Sequence, residues 1–129
     1  MSKDLSDFEL QVLQVFWQRG RASAPEVHKT IQEARPVTYS TVKTIIDRLQ
    51  EKDALQRCGK QGRTIFYEPA IQRDQMSRPL VERFVDRVFG GNRRPLLSHL
   101  LEEEQLDSSD LDYLEDLIAR KKKEMGERR

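Results

Sequence analysis

A run of short hydroxyl side chains with one lysine lies between Val37 and Leu49. On a helix of about 3.6 residues per turn, the polar side chains of this run share one face. That face consists of Ser40, Lys43, Thr44 and Asp47, with Thr41 and Arg48 on its flank. Hydroxyl groups donate and accept hydrogen bonds, and a lysine beside them can bind phosphate. The pattern therefore suits a helix that lies in the major groove of DNA.

The opposite face of the same run is apolar and predicts how the helix is held in place. One narrow stripe collects the apolar residues Val42, Ile45, Ile46 and Leu49. Thr38 is placed to cap the helix, because its hydroxyl can accept a backbone N–H of the first turn. Serine and threonine are poor helix formers, so they are an unusual choice for a face that only needs to be soluble. The alternative is an ordinary amphipathic helix whose solvated face is rich in serine and threonine.

Two shorter helices are predicted before this one. Ser6 and Glu9 have the spacing of a capping box, and Gly20 is a suitable helix end. Ser23 begins the second helix, with Pro25 in its first turn. Three short helices, the third with the polar outer face, predict a helix-turn-helix core.

Two side chains in these helices could bind a ligand, but each has a simpler role. Trp17 lies on the apolar stripe of the first helix, which favours core packing over base stacking. His28 has no second metal-binding residue nearby in the sequence, so we expect it at the surface or boundary of the domain.

After the third helix, the spacing of the apolar residues changes from a helical pattern to that of short strands. Two segments with β-forming residues, Leu55–Cys58 and Thr64–Tyr67, flank a basic connection that contains two glycines. This predicts a hairpin with Gly59–Arg63 at its tip, which is the wing of a winged helix. Lys60 and Arg63 would contact phosphates beside the groove, which adds affinity without reading sequence. The candidate DNA contacts are thus Thr38, Tyr39, Ser40, Thr41, Lys43, Thr44, Arg48, Lys60 and Arg63.

Apolar stripes recur on three predicted helices in the second half of the chain. Ile71–Met76 is predicted as a hinge into this half, and Glu124–Arg129 as a frayed, charged tail. Three separate helices of this length cannot bury such stripes alone, so a partner subunit is the natural cover. The predicted dimer contacts are Leu80, Phe84, Val88, Leu97, Leu100, Leu101, Leu111, Leu114, Leu117 and Ile118. The alternative is that the stripes fold back on the winged helix of the same chain.

The charge distribution separates the two halves. The net charge of the chain is only +1, but Arg35–Arg63 contains seven Lys/Arg against three Asp/Glu, a local +4. From Ile71 onward the count is twelve basic against thirteen acidic residues. Any positive face therefore lies in the first half.

Composition limits the remaining classes of function. No apolar run approaches the ~20 residues of a membrane span, and no signal peptide opens the chain. We therefore expect a cytoplasmic protein without membrane insertion. The single cysteine, Cys58, cannot form an internal disulfide and is expected as a half-buried strand residue. The residues suggest no nucleophile–base pair, carboxylate site, metal cluster or cofactor, so an enzyme is the class least expected.

Several segments resemble the penicillinase-repressor family, the BlaI/MecI/CopY type of bacterial winged-helix repressors. The resemblance runs from about Leu5 to Ile118, and its most specific part is Y-S-T-V-K-T-I-I-D-R-L at Tyr39–Leu49. The other similar segments are L-S-D-F-E-L and F-W-Q-R-G within Leu5–Gly20, G-R-T-I-F-Y-E-P at Gly62–Pro69, F-G-G at Phe89–Gly91 and L-L-E-E-E-Q-L at Leu100–Leu106.

The resemblance implies a homodimer that binds operator DNA with twofold symmetry and silences resistance genes such as a β-lactamase gene. In family members that respond to β-lactams, the signal of a membrane sensor leads to cleavage of the repressor within its dimerisation region. The corresponding segment here is Ser98, His99, Leu100 and Leu101, where those switches have an Asn-Phe pair.

Two further departures from the family pattern bear on the fold and the inducer. Lys52-Asp53 replaces the usual Lys-Gly after the third helix, and aspartate tolerates the left-handed conformation that a helix end can need. The Cys-x-Cys pairs of the copper-responsive branch are missing, which argues against induction by metal.

The sequence thus predicts a mostly α-helical protein with a small β-hairpin. Residues 1–70 form a winged helix-turn-helix domain, and residues 71–129 form a helical dimerisation region. The predicted function is a homodimeric repressor that binds a palindromic operator and is released by cleavage. The alternative is a winged-helix module for protein interaction or effector binding, whose induction does not involve cleavage.

Overall fold

A computed structural model describes residues 5–128 of the chain as two compact units, divided between Leu80 and Val81. It confirms a mostly helical fold with a small antiparallel sheet. The elements in chain order are α1 (Asp7–Arg19), β1 (Ala22–Ser23), α2 (Ala24–Ala34), α3 (Tyr39–Glu51), β2 (Leu55–Gln61), β3 (Thr64–Pro69), α4 (Arg73–Phe89), α5 (Arg94–Leu101) and α6 (Ser108–Glu127).

The first two helices begin with capping boxes, of which the one at Ser6 and Glu9 was predicted. The hydroxyl of Ser6 accepts the backbone N–H of Glu9 at 3.1 Å, and the Glu9 carboxylate accepts the backbone N–H of Ser6 at 2.9 Å. Ser23 and Glu26 repeat this arrangement at the start of α2. Gly20 ends α1 with a φ of +82°, a conformation that residues with a Cβ rarely adopt.

Helices α1, α2 and α3 pack their apolar stripes into one core. Phe16, Val27 and Ile46 come from the three helices in turn, and none is more than 2% exposed. The wing contributes Leu55 and Tyr67 to the same core. Large side chains of this kind, when fully buried, each contribute about 1.5–3 kcal/mol to the free energy of unfolding.

The sheet differs from the predicted hairpin in two respects. The wing strand β2 continues to Gln61, so only Gly62 and Arg63 connect it to β3. A register shift between Arg57 and Gly59 leaves Cys58 as the extra residue of a β-bulge, and Cys58 is half-buried as predicted. The two-residue strand β1 pairs with the other edge of β3, so the sheet order is β1-β3-β2. The sequence analysis missed β1.

An ion pair joins the start of α1 to the end of α3. Lys52 Nζ donates to Glu9 Oε1 at 2.9 Å, and the Glu9 side chain is only 4% exposed. Lys52 is the C-cap of α3, and Asp53 follows it with a φ of +61°. Aspartate therefore does adopt the left-handed conformation at this helix end, where glycine would be the usual choice.

Trp17 packs against the core of the first unit and also makes a directed bond. Its indole N–H donates to the carbonyl oxygen of Ile71 at 2.9 Å, and the Arg73 guanidinium lies 5.5 Å from its ring centroid. α4 begins at Arg73 in the segment predicted as a hinge, so the hinge prediction is wrong.

The second unit contains the end of α4 together with α5 and α6. Asp107 caps α6 by accepting the backbone N–H of Asp110 at 2.9 Å. α6 continues to Glu127, so the tail predicted to fray from Glu124 is helical there, and Arg129 lies outside the described residues. Within residues 5–128, no helix has the length and apolar character needed to cross a lipid bilayer.

Candidate nucleic-acid interface

The recognition helix α3 is fixed in the first unit from its apolar side. Val42, Ile46 and Leu49 are fully buried, and Ile45 is nearly so. Thr38 caps the helix as predicted, because its hydroxyl oxygen accepts the backbone N–H of Thr41 at 3.2 Å. Helix α3 is therefore held by its buried stripe and its cap, and its opposite face stays available for contacts.

The hydroxyl groups on the outer face of α3 are exposed, and they form hydrogen bonds within the helix or with its cap. The Thr44 hydroxyl donates to the carbonyl oxygen of Ser40 at 2.9 Å. The Thr38 hydroxyl lies 2.8 Å from that of Thr41 and 3.2 Å from that of Ser40. Arg48 is exposed one turn beyond Thr44. These side chains form a polar surface in which each hydroxyl has a replaceable partner within the helix.

Lys43 is the most constrained of the predicted contacts. It is half-buried, and its ammonium group donates to Asp47 Oδ1 at 2.7 Å. The hydrogen bond to Asp47 is the main cause that raises the pKa of Lys43, and the neighbouring Tyr67 adds to it. Lys43 is therefore positively charged at neutral pH, but any phosphate must share it with Asp47.

Tyr39 stands at the start of α3 and is held by a neighbouring histidine. His28 meets the Tyr39 ring edge-on, with the ring centroids 6.0 Å apart. The Nε2 of His28 lies 2.7 Å from the carbonyl oxygen of Val37, so it donates there and fixes the turn before α3. His28 is half-buried, and residues 5–128 contain no group of metal-binding side chains around it or elsewhere.

The wing presents both of its predicted cations to solvent. Lys60 lies on β2, and Arg63 lies in the turn, where Gly62 has a φ of +62°. Arg21 was not predicted as part of the wing. Its guanidinium lies 4.2 Å from the ring centroid of Phe66 on β3, a distance typical of cation–π contacts. No sequence pattern links the two, because the pairing of β1 with β3 brings them together.

A depression between α3 and the wing brings three of the nine predicted contacts together, namely Tyr39, Lys43 and Arg63. Lys60 and Arg48 do not line it. Tyr67 does, although the sequence analysis treated it only as a strand residue. Alternation along β3 could have indicated this, because Ile65 and Tyr67 must share the face opposite to Phe66.

The predicted dimer residues are largely exposed in the single chain. Leu80, Phe84, Val88, Leu97, Leu100, Leu101, Leu111, Leu117 and Ile118 are between 37% and 59% exposed, and Leu114 is half-buried. Within the second unit, α5 and α6 enclose an apolar depression of about 260 Å³. The predicted cleavage segment, Ser98 to Leu101, is exposed and forms the last half of α5.

A model of the penicillinase repressor family matches residues 5–120. The chain belongs to this family. Curated relatives include the penicillinase repressor of Staphylococcus aureus, 26% identical over 115 residues, which are 89% of this chain and 90% of the relative. The penicillinase repressor of Bacillus licheniformis is 27% identical over 118 residues, 92% of this chain and 91% of the relative.

Solved structures of relatives support the winged-helix fold of this family member. The DNA-binding domain of the repressor BlaI is 32% identical and covers 58% of this chain and 93% of that domain, with a TM-score of 0.51. Streptococcus pneumoniae FabT, at 15% identity and a TM-score of 0.52, covers 98% of this chain and 80% of its own, and shares the fold. The protein is thus a DNA-binding transcriptional repressor of the penicillinase repressor family.

Proposed function

We propose that the protein binds a palindromic operator as a homodimer, with α3 in the major groove and the wing beside the backbone. The observation that supports this best is the outer face of α3, where exposed hydroxyls cover a helix whose other face is buried. A solved structure of the monomeric form of Bacillus licheniformis BlaI contains its blaP half-operator. That protein is 31% identical over 58% of this chain, with a TM-score of 0.50.

The two parts of the interface have different chemical roles in this proposal. Hydroxyls such as Ser40 and Thr44 can donate to or accept from base edges, which differ between base pairs in the major groove. Lys60 and Arg63 attract phosphates of any sequence, and their contribution is weakened by salt. α3 therefore supplies discrimination, and the wing supplies affinity.

We expect Lys43→Ala and, separately, Thr44→Ala to weaken binding to the operator by about 1–3 kcal/mol each, because each change removes a group facing the bases. Gel shifts with a duplex selected by the wild-type chain measure the affinity, and thermal melts check the fold. The Lys43 change also leaves Asp47 near the DNA without its partner, which adds to the loss.

Matched controls exist for both substitutions. Thr30 on α2 donates to the carbonyl oxygen of Glu26 at 3.1 Å, as Thr44 does to that of Ser40. Thr30→Ala therefore reproduces the helical effect of Thr44→Ala without touching the proposed interface. Lys122→Ala removes a cation from the second unit. Equal losses in a variant and its control would place the recognition surface elsewhere.

The wing variants should show a different kind of loss. Lys60→Ala or Arg63→Ala is expected to weaken specific and non-specific duplexes alike and to reduce the log–log salt slope by about one unit, because one phosphate contact is lost. Titrations of both duplexes at several salt concentrations measure this. Gln61→Ala changes the wing at the end of β2, between Lys60 and the turn, without changing charge, and should leave the slope unchanged. A loss confined to one operator sequence would mean that the wing reads bases.

Dimerisation is proposed because the apolar residues of the second unit are exposed in the single chain, and a second copy of the chain can bury them. A twofold pair of recognition helices, separated by about one or two turns of DNA, would require two inverted half-sites. Residues from about Arg73 to Lys121 form the dimerisation region in this proposal, and the domain predicted for residues 1–70 binds DNA.

The proposed route of release is cleavage within Ser98 to Leu101, in response to a membrane sensor, with resistance genes as the controlled targets. These residues are exposed, but they are helical, so the end of α5 must unwind before a protease can bind it as an extended strand. The alternative is a regulator released by an effector. Mass spectrometry of the chain from induced cells distinguishes the two, because cleavage yields two fragments and an effector leaves the chain intact.

A further inference from the structure

Trp17 fastens the start of α4 to the first unit. It lies in α1, and its indole N–H donates to the carbonyl oxygen of Ile71, 54 positions further along the chain, at 2.9 Å. The Arg73 guanidinium lies 5.5 Å from the centroid of the Trp17 ring, within the range of cation–π contacts. One side chain of α1 thus contacts both the segment before α4 and the first residue of α4.

Further contacts attach the same segment to the first unit. The backbone N–H of Ala70 donates to the carbonyl oxygen of Ala54 at 2.9 Å, which ties the end of the wing to the turn after α3. The side chains of Ile71 and Met76 pack against the core. Apolar packing is not directional, whereas a hydrogen bond weakens steeply when its angle changes. The bond from Trp17 therefore fixes the direction of α4 more closely than the packing does.

The direction of α4 matters because the chain passes from the first unit into the second within this helix. α4 runs without a break from Arg73 to Phe89, and the two units divide between Leu80 and Val81. In the proposed dimer, the second units join the two copies and the first units bind the half-sites. The direction in which α4 leaves each first unit then governs where the recognition helices stand.

We propose that Trp17 is a positioning residue that sets the half-site spacing accepted by the dimer. Its bond to Ile71 would fix the distance and the rotation between the two recognition helices, although Trp17 itself does not contact DNA. The inference rests on the proposed function, because spacing has a meaning only for a dimer bound to two half-sites.

Pro79 lies inside α4 and weakens this helix without freeing it. It lacks the N–H that would donate to the carbonyl oxygen of Gln75, and its ring fixes φ at about −65°. A proline at such a position kinks a helix. The direction that Trp17 gives to the first turn is therefore passed on through Pro79. If α4 turned freely at Pro79, a change of Trp17 would leave the preferred spacing unaltered.

The spacing preference can be measured with a series of duplexes. The parent is a palindromic duplex selected by the wild-type chain, and the others carry one to five base pairs more or fewer between the half-sites. Each added base pair rotates one half-site by about 34° relative to the other. We expect the wild type to bind the parent about tenfold more tightly than duplexes changed by two base pairs, because the second recognition helix no longer faces the major groove.

Trp17→Phe keeps an aromatic ring at this position and removes the indole N–H. We expect it to bind a single half-site like the wild type, and to reduce the preference for the parent spacing to about threefold or less, because one hydrogen bond contributes a factor of this size. An amino acid with sulfur in place of the indole nitrogen, β-(3-benzothienyl)alanine, removes the N–H with less change of shape. Introduced at position 17, it should have the same effect.

Phe8→Leu is the matched control. Phe8 is another aromatic residue of α1 that packs against the core, and the Arg35 guanidinium lies 4.6 Å from its ring centroid. Phe8→Leu should lower the melting temperature of the chain but keep the spacing preference, because α4 remains fastened by Trp17.

The hold on α4 can also be measured without DNA, by amide hydrogen exchange in the full chain. The N–H of Met76 donates to the carbonyl oxygen of Gln72 in the first turn of α4. Its exchange should be about fivefold faster in Trp17→Phe, because local opening becomes easier. The N–H of Val42 donates to Thr38 at the start of α3 and should exchange at the wild-type rate.

Three results would overturn the inference. They are an unchanged spacing preference in Trp17→Phe and the sulfur analogue, unchanged exchange at Met76, and an equal loss of spacing preference in Phe8→Leu, which would mean that any loosening of the first unit suffices. A wild-type chain that binds every spacing equally is a different result. It would refute the binding of a palindrome by a dimer, and the role of Trp17 in spacing with it, even if exchange at Met76 responds as expected.

Discussion

Leu114→Asp should convert the protein into a monomer whose first unit still folds but whose affinity for a full operator falls by two orders of magnitude or more. Each buried leucine of the α6 stripe contributes roughly 1.5–3 kcal/mol, so four apolar residues can sustain a stable interface. Leu114 is half-buried beside the apolar depression formed by α5 and α6, and a carboxylate there would face a partner without compensation. Sedimentation at micromolar concentration measures the assembly state, and gel shifts measure the affinity.

The control for this experiment is Ala119→Asp, which introduces the same charge on α6, about 140° around the helix from Leu114. It should remain a dimer with normal affinity. Ile118→Asp, at a side chain that is 46% exposed in the single chain, should repeat the effect of Leu114→Asp with less risk to the second unit itself. A Leu114→Asp protein that stays dimeric and binds the operator normally would show that the stripe is internal core.

Lys52→Met should lower the free energy of unfolding of the first unit by about 2–3 kcal/mol at neutral pH, because it leaves the buried Glu9 carboxylate without its cation. Oε1 of Glu9 would keep the backbone N–H of Ser6, while its buried Oε2 has no hydrogen-bond partner among the described residues. Urea unfolding followed by circular dichroism and Trp17 fluorescence measures the loss. Lys29→Met, at an exposed position on α2, is the control and should change stability little.

The pH dependence of the stability of Lys52→Met tests whether the lost ion pair with Glu9 is the cause of the destabilisation. Burial raises the pKa of Glu9, but the hydrogen bonds from Ser6 and Lys52 outweigh it, so the pKa lies below its ordinary value of 4.5. A lowered pKa in the folded state contributes stability that is fully present above pH 4.5 and is lost as the pH falls through the folded value. Without Lys52, the pKa of Glu9 should rise, because the hydrogen bond and the charge of that cation no longer lower it. The difference between wild type and Lys52→Met should therefore shrink below about pH 4, and a constant difference would point to lost packing.

Local sequence rules sufficed for the helices of the first unit. Ser6 with Glu9 and Thr38 cap helices as predicted, and the second helix starts at the predicted Ser23, because a cap depends only on residues about three positions apart. The helix predicted between Val37 and Leu49 is confirmed as α3, since its apolar stripe has the helical period and lies in the core.

The wing and the ends of the second unit were predicted less well, and for physical reasons. β1 is two residues long and forms only because β3 lies beside it, so no local pattern indicates it. β2 runs through Gly59 and Lys60 because pairing with Phe66 and Ile65 outweighs the weak strand preference of glycine and lysine. α6 extends to Glu127 because a charged helix with basic residues near its end can continue without packing.

The depression at the wing could not be predicted because it depends on side chains from distant parts of the chain. Tyr39, Arg63 and Tyr67 belong to a helix start, a turn and a strand, and only the sheet and the helix packing bring them together.

The bonds within α3 make DNA binding an exchange reaction. In the free protein Thr44 is bonded to Ser40 and Lys43 to Asp47, so a contact of either side chain with a matching base competes with a bond that already exists. A matching sequence then adds less free energy than these contacts would give on their own, whereas a wrong base leaves its own polar edge buried against α3 without a partner, which is penalised in full. A reading face of this kind selects by rejection. The protein would bind any duplex through its cations and would stay bound only where the base edges find partners on α3.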